Sequence, residues 1–291
     1  MTTDYGDEIF EALAKCTKTE RLTLGPTSVT SPRSMCVVFR QMPNLISIDL
    51  SSLVQVNDEV IITLAETCSK TLQGLNINGC RMVGDEAVCL LAARCPNLRR
   101  VSQSAESCTD EQLKLNGCIR LTDKSLVAIA RSCSQLLEVD IADLAQATSA
   151  TIYALLLNTT QVRELKVNRN PFIDSGGFPD LPVLMDMDDR DSELAARRSP
   201  VYATTQDHDP ESTATPRMLM PKTDQLTQLR TVDLTDCPNL TDTGLASLIS
   251  SAPKIRALTL AKCVQLTDTG LKHIADLGGY LHHLHIAHVA L

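Results

Sequence analysis

The chain contains no tryptophan, four phenylalanines and four tyrosines, so aromatics make up only 3% of it. A thick core built around large rings is thereby excluded. Leu, Ile, Val and Ala must fill the interior, which suits thin, regularly stacked layers. No run approaches the roughly 18 unbroken apolar residues that a membrane helix needs. The N-terminus, MTTDYGDEIFEALAK, is acidic and lacks the apolar stretch of a secretory signal. A soluble protein of the cytoplasm, the nucleus or both is expected. There is no G-x-S-x-G, P-loop or G-x-G-x-x-G, and nothing suggests a convergent triad. The expectation is a non-catalytic chain that takes no cofactor.

Charge is uneven as well. The formal net charge is −8, and residues 172–225 alone hold eleven acidic and five basic residues. The remainder is close to neutral, which argues against nonspecific nucleic-acid or membrane binding while allowing a local basic face.

What the chain does have is a repeat. Runs of the form L-x-x-L-x-L recur, as in Leu45-x-x-Ile48-x-Leu50, Leu136-x-x-Val139-x-Ile141 and Ile255-x-x-Leu258-x-Leu260. Taking the middle apolar residue as anchor gives positions 22, 48, 75, 101, 139, 165, 232, 258 and 284. Six of the eight spacings are 26 or 27, so the periodicity is not accidental. The alternation at each anchor reads as a short strand with one apolar face. Ten residues on, or 22 in the unit lengthened by 12, Asp58, Asp85, Asp123, Asp242 and Asp268 follow Asn, Gly or Thr, a helix start whose side-chain oxygen can accept from an orphan N–H. Apolar residues then recur at helical spacing, as in Asp85-x-x-Val88-x-x-Leu91-Ala92. One such unit cannot bury its own apolar face, so neighbours must stack.

The eleven cysteines contain no C-x-x-C pair, and most fall into the repeat frame. Cys80, Cys118, Cys237 and Cys263 follow the strand, and Cys16, Cys68, Cys95 and Cys133 close the helix. Recurring once per coil rather than converging, they are expected to be buried space-filling thiols, with zinc or redox roles disfavoured. His282, His283, His285 and His288 cluster near the end of the chain. Only His283 and His285 should share a strand face, so no metal site is expected there either.

Two spacings break the period. One, of 38 residues, exceeds it by 12; removing residues 102–113 (SQSAESCTDEQL) restores LRRVKLNGCIRLTD in register. Val101-Ser102 can be encoded GTGAGT, a splice-donor sequence, so retained intron sequence and a tolerated surface loop are both open readings. The other break, of 67 residues, contains LPVLMDMDDRDSELAARRSPVYATTQDHDPESTATP, which reads as a disordered acidic loop over 176–225. The expected organisation is therefore a lead-in (1–15), repeats (16–175, interrupted at 102–113), the acidic loop, and repeats again (226–291).

The units follow C-x-x-L-x-x-L-x-L-x-x-C-x-x-(I/L)-T-D-x-x-L. This resembles the cysteine-containing leucine-rich repeats of F-box proteins. The fragments LNGCIRLTDKSLVAIARSC, NPFID, LRTVDLTDCPNLTDTGL and LHHLHIAHV look particularly like the fungal glucose-repression-resistance type. The resemblance implies an α/β solenoid of about nine repeats, shaped as a horseshoe with a parallel sheet on its concave face and helices on its convex face. It also implies a substrate receptor of SCF (Skp1–cullin–F-box) ubiquitin ligases that holds phosphorylated proteins such as cyclins. No F-box precedes the first repeat, and the last strand is followed by no capping helix, so the chain is expected to be a fragment or truncated gene model. Skp1 and cullin would be reached only through the missing F-box.

In such a solenoid the outward strand positions line the concave face. They offer Arg21, Arg100, Lys114 and Lys166, with Arg99, Arg163, Arg169, Arg256 and Lys262 nearby and Asn76, Asn78, Asn116 and Asn168 along the same strip. Arg and Lys make charge-assisted contacts to phosphate oxygens, so a phosphopeptide is the expected ligand. The opposing reading is ordinary solvated charge, since Glu138, Asp140, Glu164 and Asp233 face the same side and dilute the field.

Overall fold

A computed structural model of the chain describes residues 12–25, 31–98, 113–178 and 228–289. Each repeat contributes one short strand: β1 Arg21–Thr23, β2 Ser47–Asp49, β3 Gly74–Asn76, β4 Leu113–Lys114, β5 Glu138–Asp140, β6 Glu164–Lys166, β7 Thr231–Asp233, β8 Ala257–Thr259 and β9 His283–His285. They form one parallel sheet in sequence order. The register stacks the anchors in a row, Ile48 against Leu75, Val139 against Leu165 and Val232 against Leu258. Helices α1 Pro32–Arg40, α2 Asp58–Thr67, α3 Asp85–Arg94, α4 Asp123–Ser132, α5 Ser149–Asn158, α6 Asp242–Ser251 and α7 Asp268–Lys272 return the chain on the other side of the apolar layer. Strands sit about 4.8 Å apart and packed helices 8–10 Å apart. The helical side is therefore the longer one, and the sheet becomes the inner face of the curve.

The core between the layers is aliphatic. Leu45, Ile48, Leu50, Leu72, Leu75 and Ile77 are fully buried, as are their counterparts Ile255 and Leu260 farther along. Leu13 and Ala14 pack against this core too, so the residues assigned to a lead-in already belong to the solenoid.

At the fourth strand the expected boundary shifts. Leu113, assigned to the insertion, occupies the anchor position, pairing with Leu75 on one side and Val139 on the other. Leu113-x-Leu115 supplies the strand alternation itself, so the extra residues precede the strand instead of interrupting it. Val101 and the rest of 102–112 lie outside the described residues. At the second break, Ser175–Gly177 form a 3-10 turn, and Gly177 and Phe178 are buried, so these two residues, assigned to the loop, belong to the core layer. The physical reason is packing: a Cβ on Gly177 would lie 3.0 Å from that of Ile152. Residues 179–227 lie outside the described ones. Across that gap β6 pairs with β7 in register, Leu165 against Val232.

Two ladders lock the repeats together. The aspartates at helix starts sit just inside the N-cap, and in three of the five helices the residue before them caps through its side chain, as when Thr122 Oγ1 accepts from the Lys124 N–H. The carboxylate reaches the next repeat instead. Asp85 accepts from the Thr122 N–H (2.9 Å), the Thr122 hydroxyl (2.6 Å) and the Ser125 hydroxyl (2.6 Å). Asp123 does the same with Thr148 and Thr151, and Asp242 with Thr267. Across the second break the ladder continues through a Ser175–Thr241 hydroxyl pair.

The second ladder lies four residues past each anchor. Ser52, Gly79, Gly117, Asp143, Arg169, Asp236, Lys262 and His288 all have φ between 53° and 76°. From Ser52 to Lys262 this left-handed turn aims each N–H at a carbonyl of the following repeat, as in Ser52 to Asn78 (2.7 Å) and Lys262 to Ala287 (2.7 Å). Gly79 and Gly117 adopt it without steric cost, whereas the other six side chains are held there by the stack.

Candidate functional site

Cys80, Cys118, Cys237 and Cys263 are buried, and each thiol donates to a backbone carbonyl of the preceding repeat, as Cys118 does to Ile77 (3.1 Å). Burial pushes Cys80, Cys118 and Cys237 up to about 12, and Cys263 to about 11. Cys68, Cys95 and Cys133 are likewise buried and raised to between about 11 and about 12. These are space-filling donors with negligible thiolate at neutral pH. Cys16 departs from the expectation: it keeps the spacing but lies exposed in a turn between Leu13 and Thr19.

On the sheet face, most of the carboxylates that were expected to dilute a basic field are engaged locally. Asp49, Asp140 and Asp233, one residue past their anchors, each accept from the N–H two residues on, at 2.8, 3.2 and 3.0 Å. Asn76 repeats the turn with the Asn78 N–H and donates to Asp49 (2.9 Å). Glu164 is paired with Lys166 at 2.5 Å. Glu138 is buried.

The expected ligand-binding residues separate into groups. Arg21 is exposed at the far end on β1, away from the other cations. Lys114 pairs through its backbone with Asp140, its side chain being outside the described ones, as are Arg99 and Arg100 entirely. Asn78, Asn116 and Asn168 are half-buried in the row three residues past the anchors. Arg169 and Lys262 occupy the left-handed turns, where the row runs Asp143, Arg169, Asp236, Lys262 in alternating sign. Arg169 is ion-paired with Asp143, so this row offers no uniform field.

Arg163 and Arg256 belong to a different arrangement. Two residues before each anchor, at the strand-start edge of the sheet, the last four repeats carry Arg163, Arg230, Arg256 and His282. Backbone bonds join them in file: Arg230 N–H to Arg163 O (2.8 Å), Arg256 N–H to Arg230 O (2.7 Å), His282 N–H to Arg256 O (2.8 Å). Adjacent members are one strand spacing, about 4.8 Å, apart. Arg163, Arg256 and His282 are exposed and Arg230 half-exposed. The same position on earlier strands holds Glu20, Ile46, Gln73 and Leu137, so the basic file is confined to one end of the sheet. Sequence reading missed Arg230 and His282 because 67 residues separate Arg163 from Arg230. Indexing every residue to its anchor would have found them.

His283 and His285 flank the last anchor and share the outward face of β9, beside Ala257 and Thr259. Among the described residues, no group of three or more His, Cys, Asp or Glu is placed to hold a metal ion. No helix among them is long and apolar enough to cross a membrane.

A family model described as Leucine Rich repeat matches residues 225–248. Comparison with curated protein sequences gives no match. Among solved structures, the TLR13–ssRNA13 complex aligns with a TM-score of 0.52 at 13% identity, covering 95% of this chain and 30% of that one. The Rad7 and Elc1 complex from yeast aligns at 0.41 and 14% identity over 97% of this chain and 82% of that one. The leucine-rich repeat-containing protein LegL7 from Legionella pneumophila aligns at 0.44 and 14% identity, covering 92% and 73%. At these identities the likeness is one of fold. With nine parallel strands stacked in register, helices opposite them and a repeat model matched within the array, the chain is a leucine-rich-repeat protein of the α/β type.

Proposed function

We propose that this solenoid is the substrate-recognition part of an SCF-type ubiquitin ligase, holding phosphorylated protein segments for ubiquitin-dependent degradation. The observation that carries the ligand is the basic file Arg163–Arg230–Arg256–His282, in which each member is one strand from the next. Arginine presents a planar fork to phosphate oxygens, and a file of forks about 5 Å apart suits an anionic segment laid across the strands. Phosphate brings a charge near −2 at neutral pH, so phosphorylation would switch binding on. The proposed role is non-catalytic, with the phosphorylated segment recognised at this edge of the sheet. The proposed location is cytoplasmic, nuclear or both, and partners are cyclin-like regulators.

The ligase connection rests on the F-box resemblance of the repeats, and Skp1 would be engaged by an F-box outside the repeat array. The coarser reading, a protein-interaction scaffold, rests on the solenoid itself and needs no ligase. Two measurements separate them. Fluorescence anisotropy with paired phosphorylated and unphosphorylated acidic peptides should show tighter binding of the phosphorylated member, lost in Arg163→Glu/Arg256→Glu. Equal affinity for both peptides would end the phosphate reading. Co-precipitation of Skp1 with the product of a longer transcript supports the ligase; its absence leaves the scaffold.

A further inference from the structure

Eight large apolar side chains are between 45% and 59% exposed among the described residues. Scattered singly they would need no explanation. Five of them, Val54, Met82, Ile119, Phe172 and Val264, stand at one place in the repeat, six or seven residues past the anchor. This is the edge where the chain leaves the sheet for the helix, opposite the basic file. Parallel bridges Asn57–Met82, Thr148–Phe172 and Asp174–Asn239 hold successive repeats there at strand separation. The polar side chains between the apolar ones are turned along the solenoid: Arg120 donates to Met82 O (2.9 Å), Gln146 to Ile119 O (3.3 Å) and Asn239 to Pro171 O (2.7 Å). What remains facing outward is an apolar ridge. Across the repeats of β2 to β8 these two positions include Arg81 and Arg120 and no carboxylate.

We infer that this ridge is a second interaction surface and that it receives an amphipathic α-helix with acidic residues beside its apolar stripe. The ridge offers a large apolar side chain in five of the seven repeats from β2 to β8, and successive repeats follow about every 4.8 Å. A helix laid along it offers one per turn, every 5.4 Å, whereas an extended strand offers same-face residues only about every 6.7 Å. Over six intervals the ridge is about 29 Å long, matching about 19 helical residues. Its exposed apolar area, on the order of 500 Å², is that of a functional surface patch. It falls short of the roughly 800 Å² per partner that a stable association of two copies needs. Arg81, exposed and with no carboxylate at these two positions of the row, sets the charge of the partner as acidic.

The test uses the full chain and a fluorescein-labelled peptide of about 19 residues, with Leu at i, i+3, i+4 and i+7 spacing flanked by Glu. Anisotropy should give micromolar binding, weakened at least tenfold by Phe172→Lys or Ile119→Lys and severalfold by Arg81→Glu. The Arg163→Glu/Arg256→Glu chain should bind the peptide as the parent does. These positions are exposed, so urea midpoints should match the parent and exclude misfolding as the cause. The inference is overturned if the striped peptide fails to bind or binds no better than a scrambled one, or if the lysine variants bind it unchanged. Phe172-dependent sedimentation with phosphatidylserine vesicles would assign the ridge to a membrane surface instead. A dimer that Phe172→Lys dissociates would assign it to a second copy.

Discussion

Replacing Asp85 with Ala tests the cross-repeat ladder directly. The carboxylate accepts three hydrogen bonds from the next repeat, two from Thr122 and one from Ser125. Ser125 is fully buried, so without Asp85 its hydroxyl has no recourse to bulk water and keeps only its longer bond to the Thr122 carbonyl (3.2 Å). The half-buried Thr122 recovers part of its hydration. Leaving a buried donor unsatisfied costs about 1–3 kcal/mol, so the substitution should cost about 3 kcal/mol in total. Asp85→Asn keeps one oxygen for the Thr122 N–H and the Ser125 hydroxyl and should cost about 1 kcal/mol. Urea unfolding followed by circular dichroism measures both, and hydrogen exchange at the start of α4 localises the loss. Ser125→Ala supplies the cycle: its penalty in the parent should vanish in the Asp85→Ala background. Strictly additive penalties, or an Asp85→Ala cost below about 0.5 kcal/mol, would refute the ladder as a source of cohesion. Acidity provides an independent reading. Burial alone would raise the Asp85 carboxyl, but the bonds from Ser125 and Thr122 outweigh it and hold it below the ordinary value. Its charged contribution is therefore complete above the unfolded value near 3.9. It is lost as pH falls through the lower folded value, so the gap between parent and Asp85→Ala should narrow there.

Three further outcomes follow from the same stack. A Cβ on Gly270 would sit 2.3 Å from Asp242 Oδ1, so Gly270→Ala should displace that carboxylate from Thr267 and cost about 2 kcal/mol in thermal or urea unfolding. Gly117, at φ +69° and packed against the Gly79 backbone, should lose about 1 kcal/mol on change to Ala, while Lys262→Gly, at φ 60°, should be neutral or stabilising in the same assay. Iodoacetamide at pH 8 followed by peptide mapping should label Cys16 in the native chain, while Cys80, Cys118 and Cys237 react only after unfolding, because burial holds their thiols up at about 12.

The period was legible because burial recurs with it: each L-x-x-L-x-L run has to place three residues in the same layer, and the structure stacks them there. The thiols were legible for the same reason, except Cys16, whose spacing fits but whose turn is not covered. What escaped is relational. Asp85 and Thr122 lie 37 residues apart, and a single repeat shows only that Asp follows a cap, which makes the carboxylate look like part of its own helix start. The left-handed row was hidden because Asp143, Arg169 and Lys262 stand where Gly79 and Gly117 alone would have signalled it. Arg169 and Lys262 were read from the sequence as ligand contacts, and their turn sets them in a row of alternating charge that the sequence alone did not show. Arg230 joined Arg163 only once the sheet had closed over the intervening segment.

That closure bears on how the molecule folds and fails. A stacked array is held by nearest-neighbour interfaces, so each block on either side of β6–β7 can assemble from local contacts. The β6–β7 seam alone must first close a 67-residue loop instead of a 26-residue one, an entropic disadvantage of about 0.8 kcal/mol. Among the described residues, the sixth repeat has the short turn Ser175–Gly177 at the position where its neighbours begin a helix. On partial denaturation this seam is expected to open first, dividing the array into a six-strand and a three-strand block. The basic file is cut by that same division, leaving Arg163 on one block and Arg230, Arg256 and His282 on the other.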